Sequence, residues 1–254
     1  MNQSGLISSD LVGLGFVVLF TILVVVFMFR SKERPPRNLR EIPAFSKLKK
    51  GIGLAVEAGQ RLHVSLGHGN IDGLRAGSGL IGLSVLERIA RVASVSDRPP
   101  IVTSGEGNLA TLSQDTLRSA YTVINSEDQY DPLSGQLSGL TPFSFAAGIM
   151  PIIYDQHTSV NVLMGSFGTE VGLITDASER KGSLTLAGSE NISAQAIIYA
   201  TAEEPLIGEE LFAAGAYLNA GPAHSSSLQA QDVVRWLTIG LIIIGAFLKL
   251  VGVL

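Results

Sequence analysis

Residues 61–124 read RLHVSLGHGNIDGLRAGSGLIGLSVLERIARVASVSDRPPIVTSGEGNLATLSQDTLRSAYTVI, and this stretch decides the fold. Arg61 to Leu66 is a short apolar run stopped by glycine, which predicts a strand. From Leu80 to Ala93, Ile81, Val85, Ile89 and Val92 recur at helical spacing. Pro100 to Ser104 predicts a second strand and Leu109 to Ile124 a second helix. Strand, glycine turn and helix thus occur twice in succession, the pattern of an α/β layer with a largely parallel sheet.

Working outward, Ser126 to Gly139 reads as a polar loop. Pro151 to Tyr154 and Val160 to Met164 read as strands, and Asp155-Gln156-His157-Thr158 between them allows a hairpin that would add an antiparallel edge. Thr169 to Glu179 predicts a helix, Ser183 to Ala187 a strand, Ile192 to Thr201 a helix. Pro205 to Leu218 predicts another, with Glu203 and Glu204 favourable near its N-terminus. Upstream, Phe45 to Gln60 predicts a juxtamembrane helix with Leu48, Ile52, Ala55 and Val56 on one face. The strand order is not readable.

Four of the predicted strands end in glycine-containing turns: Gly67-His68-Gly69-Asn70, Gly105-Glu106-Gly107-Asn108, Gly165-Ser166-Phe167-Gly168-Thr169-Glu170 and Gly188-Ser189-Glu190-Asn191. A parallel sheet brings such turns to one edge, where α/β proteins bind ligands. The plain structural reading is tight turns with Asn, Thr and Ser as helix caps. The functional reading is a seat where glycines admit a ligand to the backbone. Gly67-x-Gly69-x-x-x-Gly73 is a loose form of a dinucleotide loop, without the standard third spacing and without an acidic residue ending the second strand. No P-loop pattern is present. Glu106, Glu170, Glu190 and Asp72 disfavour a bare phosphate and suit a divalent cation, an amine or sugar hydroxyls. No cofactor is specified.

The histidines add little. His63 lies within a strand, where a satisfied structural role is the simpler reading, and His157 and His224 fall in polar loops. His68, inside the first glycine turn, is the best single candidate for a proton-transfer or ligand role. HExxH, GxSxG and paired-His patterns are absent, so no catalytic set and no metal site can be named. With no cysteine among 254 residues, thiolate metal sites, disulfides and cysteine nucleophiles are excluded.

The chain is 46% hydrophobic and 16% charged, below the roughly 25% charge of a soluble domain. The excess sits at the ends. Leu11 to Phe29 (LVGLGFVVLFTILVVVFMF) carries no charge and spans about 28 Å as a helix, near the ~30 Å hydrocarbon core. Val233 to Leu254 is the second apolar stretch, with Arg235 and Trp236 at its start and Lys249 near its end. Residues 1–10 are then an extracytoplasmic leader, 11–29 a transmembrane helix, 30–61 a basic linker and helix, 62–224 the α/β domain, and 225–254 a helix running into the span at 233–254.

Charge orients this arrangement. From Arg30 to Arg61 nine Lys/Arg face three Glu, and from Leu62 to Asp232 seven Lys/Arg face eighteen Asp/Glu, a net of −11. The collar of Arg30, Lys32, Arg34, Arg37, Arg40, Lys47, Lys49 and Lys50 marks the cytoplasmic side and would attract anionic headgroups. Both termini are then extracytoplasmic. The acidic body argues against nucleic acid.

LREIPAFSKLKKGIGLAVEAGQRLHVSLGHGNIDGL, SVLERIA, SDRPPIVTSGEGNLATLSQDTLRSAY, LTPFSFAAG and EEPLIGEELFAAGAYL resemble an uncharacterised family of bacterial two-span membrane proteins, a domain of unknown function. The resemblance covers most of the chain. It implies the bacterial inner membrane and brings no activity or site residue. Two tethers, small residues at Gly13, Gly15, Gly240, Gly245 and Ala246, and the missing catalytic set point first to a non-enzymatic homo-oligomeric scaffold contacting the bilayer and itself. A ligand sensor or enzyme using the glycine-turn edge, with a small-molecule partner, is the alternative. An oligomeric channel or transporter subunit is the third; neither span carries a mid-membrane ionisable residue, the usual sign of an ion pathway, so only an oligomeric pore would serve.

Overall fold

A computed structural model describes residues 3–31, 40–71, 73, 76–93, 96 and 98–252. The chain forms two compact units, one from its two ends and one from Arg40–Ala220.

The terminal unit holds α1 (Gln3–Ser31) and α9 (Pro222–Leu250), which pack on one another. Both are long and apolar enough to cross a membrane, and their most apolar windows are unburied. Pro222 occupies the first position of α9, where its missing N–H costs nothing. His224 therefore lies in a helix, where a polar loop was expected, because Pro222 starts α9 before the apolar stretch begins.

The central unit runs α2 (Pro43–Glu57), β1 (Arg61–Gly67), α3 (Ala76–Ala93), β2 (Ile101–Ser104), α4 (Gly107–Val123), β3 (Gly135–Leu137), α5 (Pro142–Asp155), β4 (Thr158–Ser166), α6 (Val171–Lys181), β5 (Leu184–Ser189), α7 (Ile192–Thr201), β6 (Glu204–Leu206) and α8 (Glu210–Tyr217). The six strands form one sheet in the order β3-β2-β1-β4-β5-β6, and every pairing is parallel. The fold is α/β. Alternation sends Leu62, Val64, Leu66, Val160, Val162 and Met164 into a core shared with α2, α3, α4 and α8. Leu163 and Ala187 face α5, α6 and α7 on the other side.

Three expectations are corrected. Pro151 to Tyr154 is the last part of α5, not a strand. Thr141 and Ser144 form a reciprocal capping box that starts the helix, and Phe145, Ile149, Ile152 and Ile153 are its buried face. Pro151 and Ala147, whose carbonyl loses its helical donor, are both exposed, so the freed carbonyl lies on the solvent side of the helix. No hairpin follows, and among the described residues no antiparallel pairing occurs. His157 takes a left-handed turn, φ 56°, between helix and strand. The supposed loop at 126–139 contains β3, too short to leave a periodic signal. Residues 205–218 divide into β6 and α8. Pro205 is tolerated in β6 because this is an edge strand.

Candidate functional site at the carboxyl edge of the sheet

β1 and β4 are neighbours at the point where the strand order reverses. β1 leads to α3 on one face and β4 leads to α6 on the other. Divergence of this kind leaves a crevice beyond the strand ends. The glycine turns fill that edge in the spatial order β2, β1, β4, β5. Backbone bonds tie them together: His68 N donates to Ser166 O at 2.7 Å and Gly105 N to Gly67 O at 2.8 Å. Side chains continue the row, with Asn108 Nδ2 donating to Asn70 Oδ1 at 2.6 Å and Phe167 N to Ser189 Oγ at 3.1 Å.

The glycines here permit close approach. Gly67 has φ +65°, and a Cβ on it would collide with the Ser166 carbonyl. A Cβ at Gly105 would strike the His68 ring, and one at Gly82 the Met164 carbonyl. Gly82 thus lets α3 settle on the sheet.

His68 is clamped by this arrangement. Its ring lies over Gly105 and meets Phe145 edge-on, with centroids 4.7 Å apart. Its Nε2 is buried and has no hydrogen-bond partner. Glu190, in the turn after β5, has both carboxylate oxygens buried without a partner. Ser138, in the turn after β3, has an unpartnered buried hydroxyl, and its backbone N donates to Ser104 O at 3.0 Å beside Gly105. Ser65 is also unpartnered inside β1, and Arg61 Nε and Ser159 Oγ at the opposite edge. A buried polar atom left unpaired is uncommon and calls for an explanation.

The other acidic candidates differ. Glu170 is almost fully buried and turned inward, its Oε1 accepting from Gly168 N at 2.7 Å. Glu106 precedes α4 without capping it through its side chain. Asp72 lies outside the described residues. Among the described residues no three His, Asp or Glu side chains gather as a metal ion requires.

The satisfied structural role expected of His63 is met by partners that the sequence did not reveal. On the sheet face that carries α5 to α7, Thr103, His63, Asn161 and Ser178 form a buried chain. His63 Nε2 lies 2.9 Å from Thr103 Oγ1 and Nδ1 2.9 Å from Asn161 Oδ1. Asn161 Nδ2 donates to Ser178 Oγ at 2.7 Å, which orients its oxygen toward the imidazole. His63 therefore carries its proton on Nδ1 and accepts from Thr103. Burial pushes its pKa down to about 4, partly opposed by the Asn161 bond. Every polar atom of the ring is satisfied in the neutral form, and the role is structural.

The family now has a place. The chain belongs to the family described as Domain of unknown function (DUF6754). Its pattern matches residues 5–254. No curated protein and no solved structure matches the chain. Family membership brings no site residue with it, so the edge geometry stands alone.

The basic collar is partly engaged within the protein. Arg40 pairs with Glu210, and Lys47 with Glu204, which raises the Lys47 pKa through a hydrogen bond and charge. Lys32, Arg34 and Arg37 lie outside the described residues. α2 turns Phe45, Leu48, Ile52 and Ala55 onto the sheet. Beneath it, at the amino edge, lies an open groove of about 410 Å³ lined by Lys50, Leu54, Gln60, Ser159, Leu184 and Glu203 among others.

Proposed function

We propose that this protein is a membrane-tethered ligand-binding protein whose seat is the carboxyl edge at the β1/β4 reversal. The observation that carries the reading is the set of buried polar atoms without protein partners in three turns of that edge, those after β3, β1 and β5: Ser138 Oγ, His68 Nε2 and the Glu190 carboxylate. Leaving such groups unpaired costs roughly 1–3 kcal/mol each, more for a charge. A ligand that supplies the missing bonds recovers that energy. His68 would bind or move a proton at Nε2, and the glycines would admit the ligand to the backbone. Native mass spectrometry of the full chain released from its own membranes tests this. The expected result is a bound small molecule in the wild type that is lost in His68→Ala. Protein free of any adduct, with no stabilisation by any metabolite fraction, would refute it.

A homo-oligomeric scaffold is the second reading, favoured by one observation. Leu133, Leu140 and Phe143, flanking β3 at the sheet edge, are 78%, 72% and 70% exposed. An edge strand with apolar side chains around it favours self-association. Light scattering on nanodisc-reconstituted protein should then give two or more copies, and Phe143→Ser with Leu140→Ser should give one. A monomeric wild type would end this reading. In either reading α1 and α9 anchor the chain in a bacterial inner membrane with the central domain cytoplasmic.

A further inference from the structure

We propose that the seat takes an organic cation, bound through a guanidinium or primary amine, with Glu190 as its anionic partner. The inference rests on the carboxyl edge being a ligand seat and adds the charge of the ligand. Glu190 is the decisive group because both its oxygens are buried and neither has a donor. Among the described residues nothing else engages its carboxylate. The cap of α7 is made by Asn191, whose Oδ1 accepts from Ser193 N at 3.0 Å, and Glu190 takes no part in the ion pairs among the described residues. Two vacant acceptor oxygens on one planar group match two parallel N–H donors, the geometry of a guanidinium on a carboxylate.

The surroundings select the same sign. The four glycine turns hold Glu106, Glu170 and Glu190 and no Lys or Arg, and the one cation in the strand-to-helix connections that contain them is Arg75, farther along between β1 and α3. The stretch from Leu62 to Asp232 carries a net charge of −11. Phosphates and carboxylates are repelled by such a field. A metal ion needs several ligands together, and the described residues offer no such group. Sugar hydroxyls could fill the oxygens but would leave the carboxylate charge unbalanced in a buried setting. A second unpartnered atom in the row is His68 Nε2, in the turn after β1, with β4 between β1 and β5; it accepts when the ring carries its proton on Nδ1. Two strand spacings make about 10 Å, a span suited to a short cation with N–H groups at both ends.

Titration calorimetry on the full chain in nanodiscs at low salt tests this with agmatine and putrescine, against adenosine as a neutral diol and AMP as an anion. The expected result is saturable binding of at least one cation, weakened about tenfold or more in Glu190→Gln, as loss of a charged hydrogen bond predicts, with none for AMP. The unliganded Glu190→Gln protein should melt no lower than wild type and up to about 2–4 °C higher, since an uncompensated buried charge has been removed. Binding of neither cation at millimolar concentration overturns the inference, as does unchanged affinity in Glu190→Gln. A clearly lower melting temperature for that variant also overturns it, because the carboxylate would then have a structural partner. Adenosine binding that depends on Glu190, or a neutral adduct in native mass spectrometry, overturns the cation while sustaining the seat.

Discussion

At the residue scale, His63 shows how burial fixes a protonation state. Its folded pKa of about 4 lies below the ordinary 6.5. The folded state thus favours the neutral ring, and protonation favours unfolding. Stability from this group is complete above pH 6.5 and is lost as pH falls toward 4. The total is about 3 kcal/mol at about 1.4 kcal/mol per pKa unit. Denaturant midpoints of the full chain in detergent, followed by circular dichroism from pH 7 to 4, should fall accordingly, and His63→Gln should flatten the slope in that window while lowering stability at pH 7. A slope unchanged by the substitution would assign the acid sensitivity to another group. Glycines give a sharper contrast. Gly67 and Gly182 both have positive φ, but only at Gly67 would a Cβ meet another chain segment, whereas Gly182 faces open space. Gly182→Ala should cost about 1–2 kcal/mol, the left-handed penalty alone. Gly67→Ala should cost distinctly more, since β1 and β4 must separate. Equal losses in the same denaturation assay would contradict the packing at the reversal.

At the scale of elements, legibility followed the strength of the local pattern. α3 and α4 were readable because Val85 and Ile89, or Leu109 and Leu117, fall on one buried face. β1 and β5 were readable as apolar runs ending at glycine. α5 was not, because Pro151 and the run Ile152-Ile153 resemble a strand start when the distant Thr141 cap is left out of account. That cap predicts its own test. Thr141→Ala should destabilise the domain by about 1 kcal/mol, and Thr141→Ser by much less; equal effects would mean the capping box does not set the start of α5. The four turns were visible as sequence. The missing partners of His68 and Glu190 were not, because burial of a polar atom is decided by segments distant in the chain. Strand order was hidden for the same reason: nothing in a βα turn states which neighbour the next strand will choose.

At the scale of the whole molecule, the proposed anchoring carries a direction, with the central domain on the cytoplasmic side. α1 and α9 are apolar enough to span, but length and composition are blind to direction. Direction rests on charge. The cluster from Arg30 to Lys50 follows the first candidate span, whereas residues 1–9 carry no side-chain charge and Asp10 is acidic. Moving several cations outward across a membrane that is negative inside costs roughly 2.3 kcal/mol each per 100 mV, which is the physical basis for keeping them in the cytoplasm. Because the chain lacks cysteine, single engineered thiols report without background. Ser4→Cys should react with an impermeant maleimide on intact cells. Ser46→Cys should react only after lysis. The opposite pattern would put the acidic body, the basic collar and the proposed cation seat outside the cell, where the available ligands would be those of the surroundings and not those of metabolism.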